Sequence, residues 1–257
     1  MKTLNDIKGI LCDLDGVMYV SNKPIEGSIE AIKALREKGK EIRFLTNTSG
    51  RTVSFIQQRL HDMGLEVSTD HIINPPKAAL EYMRQQDIKR FYPALPDSVS
   101  ESFKQEFTYD EGNPEIVLMG DLGIEWNADL MNKLFGMVMN GAKILTLNKG
   151  KFWKTSKGIQ MGIGAYVAGL EYTTGTEAVV LGKPSASFFE LGVKSLGMPK
   201  DQIIMVGDDI EGDVGGAQEA GIRGVLVRTG KYQKAFADAS VVQPDLVVDD
   251  LAALVNF

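Results

Sequence analysis

The chain has 257 residues, 44% apolar and 24% charged, with 34 acidic against 28 basic side chains and a formal charge of −6. This supplies a core for one large or two unequal domains and excludes the disordered and fibrous classes. A net negative chain gains nothing by displacing counterions from a polyanion, so no nucleic acid is expected as a partner, whereas an anionic small molecule needs only cations supplied locally. One cysteine, Cys12, excludes an intramolecular disulfide or a cysteine-rich zinc site and points to a reducing compartment. Residues 1–8 have no apolar run of a secretory signal, and the uncharged stretch 158–170 is too short to span a bilayer. The expectation is a cytoplasmic protein that does not engage a membrane.

Taken in chain order, short apolar runs alternate with helix-period segments, the pattern of a parallel sheet with crossover helices. Residues 9–14 (GILCDL) read as a buried strand, followed by a helix with Ser28 as N-cap, Ile29, Ile32 and Leu35 on one face, and Gly39 as its stop. A strand at 42–46 and a helix at 52–63, closing at Gly64, come next. The middle of the chain is richer in aromatics and Met, with strands at 116–119 and 143–147 and a loop at 108–114. It includes a helix capped by Asn127 that places Leu130, Leu134, Met137 and Val138 on one face. Further strands are expected at 178–181, 203–206 and 224–227, with helices at 185–196 and 213–220. No internal repeat interrupts this order. The fold class is α/β, a doubly wound parallel sheet, which places ligands at the carboxyl ends of its strands.

Four strand ends carry polar groups suited to one chemistry. Asp13 and Asp15 end the first strand, and extended-chain alternation turns both carboxylates to one side of the intervening Leu14. Thr46-Asn47-Thr48-Ser49 ends the second, offering a hydroxyl and successive amides that can cradle an anion. Gly182-Lys183-Pro184 follows 178–181, and Gly207-Asp208-Asp209-Ile210-Glu211-Gly212-Asp213 follows 203–206. If Asp13, Asp15, Asp208, Asp209 and Asp213 converge, each pair at ~4 Å repels by about 4 kcal/mol at an effective dielectric near 20, so a cation is required. An all-oxygen ligand set, with His61 and His71 remote from it in sequence, favours Mg²⁺. Mg²⁺ and Lys183 together would attract a phosphate dianion. Cys12 faces away from Asp13 and reads as a small core residue. Gly162-Ile163-Gly164 lacks the third glycine and the preceding strand of a dinucleotide fingerprint, so it reads as a helix-entry turn.

In their order, DLDG, TNTS, GKP and GDDIEGD resemble the motifs of the haloacid dehalogenase (HAD) superfamily, and the long insert between the second and third resembles its NagD-like subfamily IIA. The resemblance implies a Mg²⁺-dependent phosphatase that hydrolyses a small phosphorylated compound through an aspartyl phosphate, with pyrophosphate and P–N bonds among the candidate substrates. It implies Asp13 as nucleophile, Asp15 as acid and base, and Lys183 as the group that orients Asp13. Substrate contacts would come from Leu14, Thr46, Asn47, Thr48 and Lys183. The metal would be held by Asp13, the Asp15 carbonyl and Asp208, with either Asp209 or Asp213 supporting it. A phosphoryl-transferring mutase and a catalytically silent phosphate-binding regulator are the alternative readings.

Thr46 and Lys183 are 137 positions apart, where one helix and one strand need about 30. The expected organisation is therefore a core at 1–76 and 182–257 with an inserted α/β cap at 77–181. Within the insert, Asn148, Lys149, Phe152, Trp153 and Lys154 combine cations with aromatics and are candidates for touching the leaving group. The resemblance also brings the expectation of a homodimer formed through the cap.

Overall fold

The computed structural model describes residues 6–155 and 158–256, with the side chains at 152–155 and 158–159 outside the description. The chain divides into two compact units: Met1–Thr46, Val53–Ile73 and Lys183–Phe257 form the first, and Asn47–Thr52 with Asn74–Gly182 the second.

The first unit opens with β1 (Gly9–Cys12), the hairpin β2 (Tyr19–Val20) and β3 (Lys23–Pro24), α1 (Ser28–Glu37), β4 (Glu41–Leu45), α2 (Val53–Asp62) and β5 (Ile72–Ile73). The second holds α3 (Pro75–Gln85), β6 (Arg90–Ala94), α4 (Asp97–Lys104), β7 (Thr108–Tyr109), β8 (Ile116–Met119), α5 (Ala128–Met139) and β9 (Lys143–Thr146). It continues with the antiparallel pair β10 (Phe152–Thr155) and β11 (Gly158–Met161), then α6 (Gly164–Thr174) and β12 (Val179–Val180). Back in the first unit come α7 (Ala186–Leu196), β13 (Ile203–Gly207), α8 (Gly216–Glu219), β14 (Arg223–Val227), α9 (Lys234–Ala239) and β15 (Leu246–Val248).

The first unit's sheet runs β15-β14-β13-β1-β4-β5 with every pairing parallel. All four residues of β1 and all five of β13 are buried, as expected for strands covered on both faces. Ile29, Ile32 and Leu35 of α1 join that core, together with Ile56 and Leu60 of α2. Ser28 is the first helical residue of α1, not its N-cap: Gly27 holds that position and the Ser28 hydroxyl donates to the Met18 carbonyl. Cys12 pairs in register with both Phe44 and Val206, so β1, β4 and β13 end at one level, and the residues just past these strands emerge side by side.

The second unit's main sheet runs β12-β9-β8-β6-β7, also all parallel. Asn127 caps α5 as expected, accepting from the Leu130 amide, and Leu134, Met137 and Val138 are buried. The strand expected at 178–181 corresponds to β12, which pairs with β9 of this sheet and not with the strands around β1. A short apolar run carries no signal for which of two sheets it joins. The loop expected at 108–114 contains β7, paired with Arg90 and Phe91, before an Asp110 turn whose carboxylate accepts from the Gly112 and Asn113 amides. Pro93 lies inside β6 without breaking it, because β7 pairs only as far as Phe91 and the missing N–H falls on the unpaired side.

Candidate active site

Asp13 follows β1 directly, and its amide donates to the Val206 carbonyl, extending the sheet by one residue and fixing its carboxylate at the β1/β13 boundary. Thr46 follows β4 and is buried; its amide donates to the Ile73 carbonyl, so what it can offer an anion is its side chain. Asp208 and Asp209 follow β13. Lys183 re-enters the first unit just ahead of α7. Three neighbouring parallel strands thus deliver Asp13, Thr46 and Asp208 to the carboxyl edge of one sheet.

The helix expected at 213–220 starts three residues early, as a π-helical turn over Ile210–Gly215 leading into α8. Its cap is Asp209, whose Oδ1 accepts from the Glu211 and Gly212 amides at 3.2 and 2.9 Å. The Asp209 carbonyl accepts from both Asp213 and Val214. This wide turn projects Asp213 inward, where its Oδ2 accepts from the Asp209 amide at 3.1 Å. Wide turns of this kind recur at functional sites.

Lys183 Nζ lies 2.7 Å from Asp13 Oδ1 and 2.6 Å from Asp213 Oδ1, and donates to the Leu45 carbonyl at 3.3 Å. All three side chains are buried. Burial alone would strip the charge from Lys183, but the two carboxylates outweigh it and hold the ammonium well above its ordinary range. Burial pushes Asp13 up, opposed by Lys183. Burial, then the charges of Asp13 and Asp213, push Asp208 up to about 7. Burial outweighs Lys183 at Asp213 and pushes it up to about 6.

One carboxylate oxygen from each of Asp13, Asp208 and Asp213 lies within 4.8 Å of the others. Fully ionised, three carboxylates against one ammonium leave two uncompensated negative charges. Asp208 Oδ2 accepts from the Lys231 amide at 2.6 Å, whereas its Oδ1 is buried with no hydrogen-bond partner among the described residues. An orphaned, buried, anionic oxygen in an all-carboxylate set fits a hard divalent cation.

Of the residues singled out in the sequence, Asp13, Asp15, Thr46, Lys183, Asp208, Asp209 and Asp213 belong to the first unit. Asp15 is half-buried and stands outside the three-carboxylate cluster, so the five expected acids resolve into three. Asp209 spends its carboxylate on the helix cap, while Asp213 joins the cluster directly. The Leu14 side chain is part of the hydrophobic core, so what it offers at the site is its backbone, which hydrogen-bonds the Asp13 carboxylate. Cys12 is likewise in the core, and burial followed by the Asp13 charge pushes its thiol far up, consistent with an inert residue.

Asn47, Thr48, Asn148 and Lys149 belong to the second unit. Asn148 Nδ2 donates to Ser49 Oγ at 3.1 Å, tying the end of β9 to the loop that carries Asn47 and Thr48. Lys149 pairs with Glu171, with 2.8 and 2.7 Å to its two carboxylate oxygens. Trp153 falls on β10, and its side chain, like those of Phe152 and Lys154, lies outside the described residues. Sequence reasoning missed Thr229 and Lys231, which touch Gly16 and Asp208; they follow β14 in a short TGK run that reads as an ordinary turn.

The family model for haloacid dehalogenase-like hydrolases matches residues 10–106, and a second HAD-type hydrolase model matches 180–254. The human phospholysine phosphohistidine inorganic pyrophosphate phosphatase is 35% identical over 99% of this chain and 95% of its own length. The chain belongs to the haloacid dehalogenase-like hydrolase family. It is a NagD-like enzyme of that family: the solved NagD from E. coli K-12 superposes with a TM-score of 0.86 at 26% identity, over 96% of this chain and 97% of that one. The p-nitrophenyl phosphatase from Archaeoglobus fulgidus superposes with a TM-score of 0.92 at 28% identity, over 98% and 99%. Haloacid dehalogenase-like hydrolase domain-containing protein 2 from Bos taurus is 33% identical over the whole of this chain and 97% of its own. Among the described residues, no helix is long and apolar enough to cross a membrane.

Proposed function

We propose that this enzyme is a Mg²⁺-dependent phosphohydrolase that releases phosphate from a small phosphorylated compound through a phosphorylated Asp13. The observation that carries the reading is the bridging of Asp13 and Asp213 by the buried Lys183 ammonium, beside an Asp208 oxygen that has no hydrogen-bond partner among the described residues. Lys183 opposes the desolvation that pushes Asp13 up and so favours its ionised form, the form a nucleophilic carboxylate requires.

Asp13 attacks phosphorus, and the bond from phosphorus to the leaving group breaks as Asp15 gives its proton to the departing oxygen or nitrogen. Water then attacks phosphorus, Asp15 takes its proton, the bond to Asp13 breaks and phosphate is released. Lys183 and the Thr46 side chain stabilise charge developing on the phosphoryl oxygens. The Asp13 and Asp208 carboxylates and the Asp15 carbonyl would hold Mg²⁺, with Asp213 supporting it through Lys183 and Asp209. When bound, the metal supplies positive charge that lets a phosphate dianion approach the carboxylates.

Phospholysine, phosphohistidine and pyrophosphate, named for the human relative, and the aryl phosphate named for the Archaeoglobus enzyme define the substrate classes to try. The test is a panel of these compounds scored by released phosphate, with Mg²⁺ and with EDTA, using wild type and Asp13→Asn. The reading expects at least one class to be turned over only with metal and only by wild type; turnover in EDTA, or by Asp13→Asn, would overturn it.

A further inference from the structure

The turn after β14 reaches two groups from different strands. Thr229 Oγ1 donates to the Gly16 carbonyl at 2.5 Å, and the Gly16 amide donates to the Tyr19 carbonyl at 2.7 Å, so Gly16, the residue after Asp15, is held through both its C=O and its N–H. Two residues on, the Lys231 amide donates to Asp208 Oδ2 at 2.6 Å. Between them, Gly230 stands against Gly16. A Cβ at Gly16 would lie 1.8 Å from Asp208 Oδ2, and one at Gly230 would lie 2.0 Å from that oxygen and 2.4 Å from the Gly16 Cα. Both glycines have positive φ, +92° and +61°, where side chains are disfavoured in any case. The Asp208 carboxylate is therefore packed against the bare backbones of two glycines, with one oxygen satisfied and the other buried with no hydrogen-bond partner among the described residues.

We propose that Thr229 is a positioning residue for metal binding: its hydroxyl fixes Gly16, whose nitrogen carries the Asp15 carbonyl, to the same turn that holds Asp208, setting the β1 and β13 ligands in place before a cation arrives. The inference rests on the proposed function, in which the Asp15 carbonyl and Asp208 are metal ligands. Groups that orient metal ligands typically contribute 10–100-fold in metal affinity. Without the hydroxyl, the Gly16 carbonyl loses its anchor and the Asp15 carbonyl its fixed direction, while no ligand is removed.

The test is calorimetric titration of the EDTA-stripped full-length chain with Mg²⁺ alone, for wild type, Thr229→Val, Thr229→Ala, Thr229→Ser and Asp208→Asn. Thr229→Val, or Thr229→Ala if the valine form does not fold, is expected to bind Mg²⁺ roughly 10-fold or more weakly. Its metal-free thermal midpoint should match that of wild type. Thr229→Ser, which keeps the hydroxyl, is expected to bind as wild type does. Wild-type affinity in both hydroxyl-free variants, with binding lost in Asp208→Asn, would overturn this inference and leave the metal site standing. Absence of Mg²⁺ binding by wild type would overturn the metal site and the inference with it.

Discussion

Lys183 Nζ sits 2.7 Å from Asp13 Oδ1 in a place that solvent barely reaches, and the same nitrogen lies 2.6 Å from Asp213. One cation thereby opposes the desolvation of the expected nucleophile and holds the acid behind it.

Replacing Lys183 with Met leaves the buried Asp13 and Asp213 carboxylates without their shared counter-charge. Breaking a buried pair from one side costs about 3–5 kcal/mol, and removing a donor aimed at developing charge costs roughly 10²–10³ in turnover. Urea denaturation of Lys183→Met should show that loss of stability, and phosphate release should fall by at least that factor. Lys183→Arg should restore little, because the planar guanidinium does not substitute for a compact ammonium between two oxygens.

Asp208 at about 7 and Asp213 at about 6 both lie above the 3.8 of an unperturbed aspartate. A raised folded-state value means that the folded chain holds the proton more tightly than the unfolded one. The contribution to stability is therefore largest below pH ~4, declines as pH rises through the interval up to about 7, and is lost above it. The metal-free protein should lose thermal stability over that interval more steeply than Asp208→Asn does. A cation competes with those protons, so stabilisation by Mg²⁺, about 2.7 kcal/mol at a hundredfold excess over Kd, should be larger at pH 8 than at pH 5. Thermal midpoints with and without Mg²⁺ at the two pH values check this; an equal or larger shift at pH 5 would contradict it.

Asn148 is expected to act through the loop it holds. Asn148→Ala removes the 3.1 Å bond to Ser49 and with it about 1 kcal/mol of loop fixation, so KM should rise about 5-fold with kcat little changed. Lys149→Met should move KM less, since the ammonium is engaged with Glu171 in a pair partly open to water. Steady-state kinetics of the two variants side by side give the comparison.

The core strands are legible in the sequence because a parallel strand covered on both faces must be an unbroken apolar run, and 9–12 and 203–207 are such runs. The polar residues that end them are legible for the same reason, since a carboxylate just past an apolar strand can go only to the sheet edge. Alternation also predicts that Cys12 turns away from Asp13. Side-chain commitments are not legible. Whether Asp209 caps a helix or joins a metal cluster depends on a π-helical turn, and whether Lys149 meets substrate depends on Glu171, 22 positions away, on α6. Thr229 escapes notice because its role comes from a hydrogen bond to Gly16, 213 positions earlier, and a threonine before a glycine looks like any turn.

The central claim is that Asp13 becomes covalently phosphorylated, and the most direct measurement is chemical trapping. The enzyme is quenched in acid during turnover with Mg²⁺, reduced with borohydride, and mapped by peptide mass spectrometry. An acyl phosphate is reduced to the alcohol, so the account predicts homoserine at position 13, its absence when substrate is omitted, and no phosphate release by Asp13→Asn. Sustained turnover with position 13 recovered only as aspartate, together with an active Asp13→Asn enzyme, would contradict it.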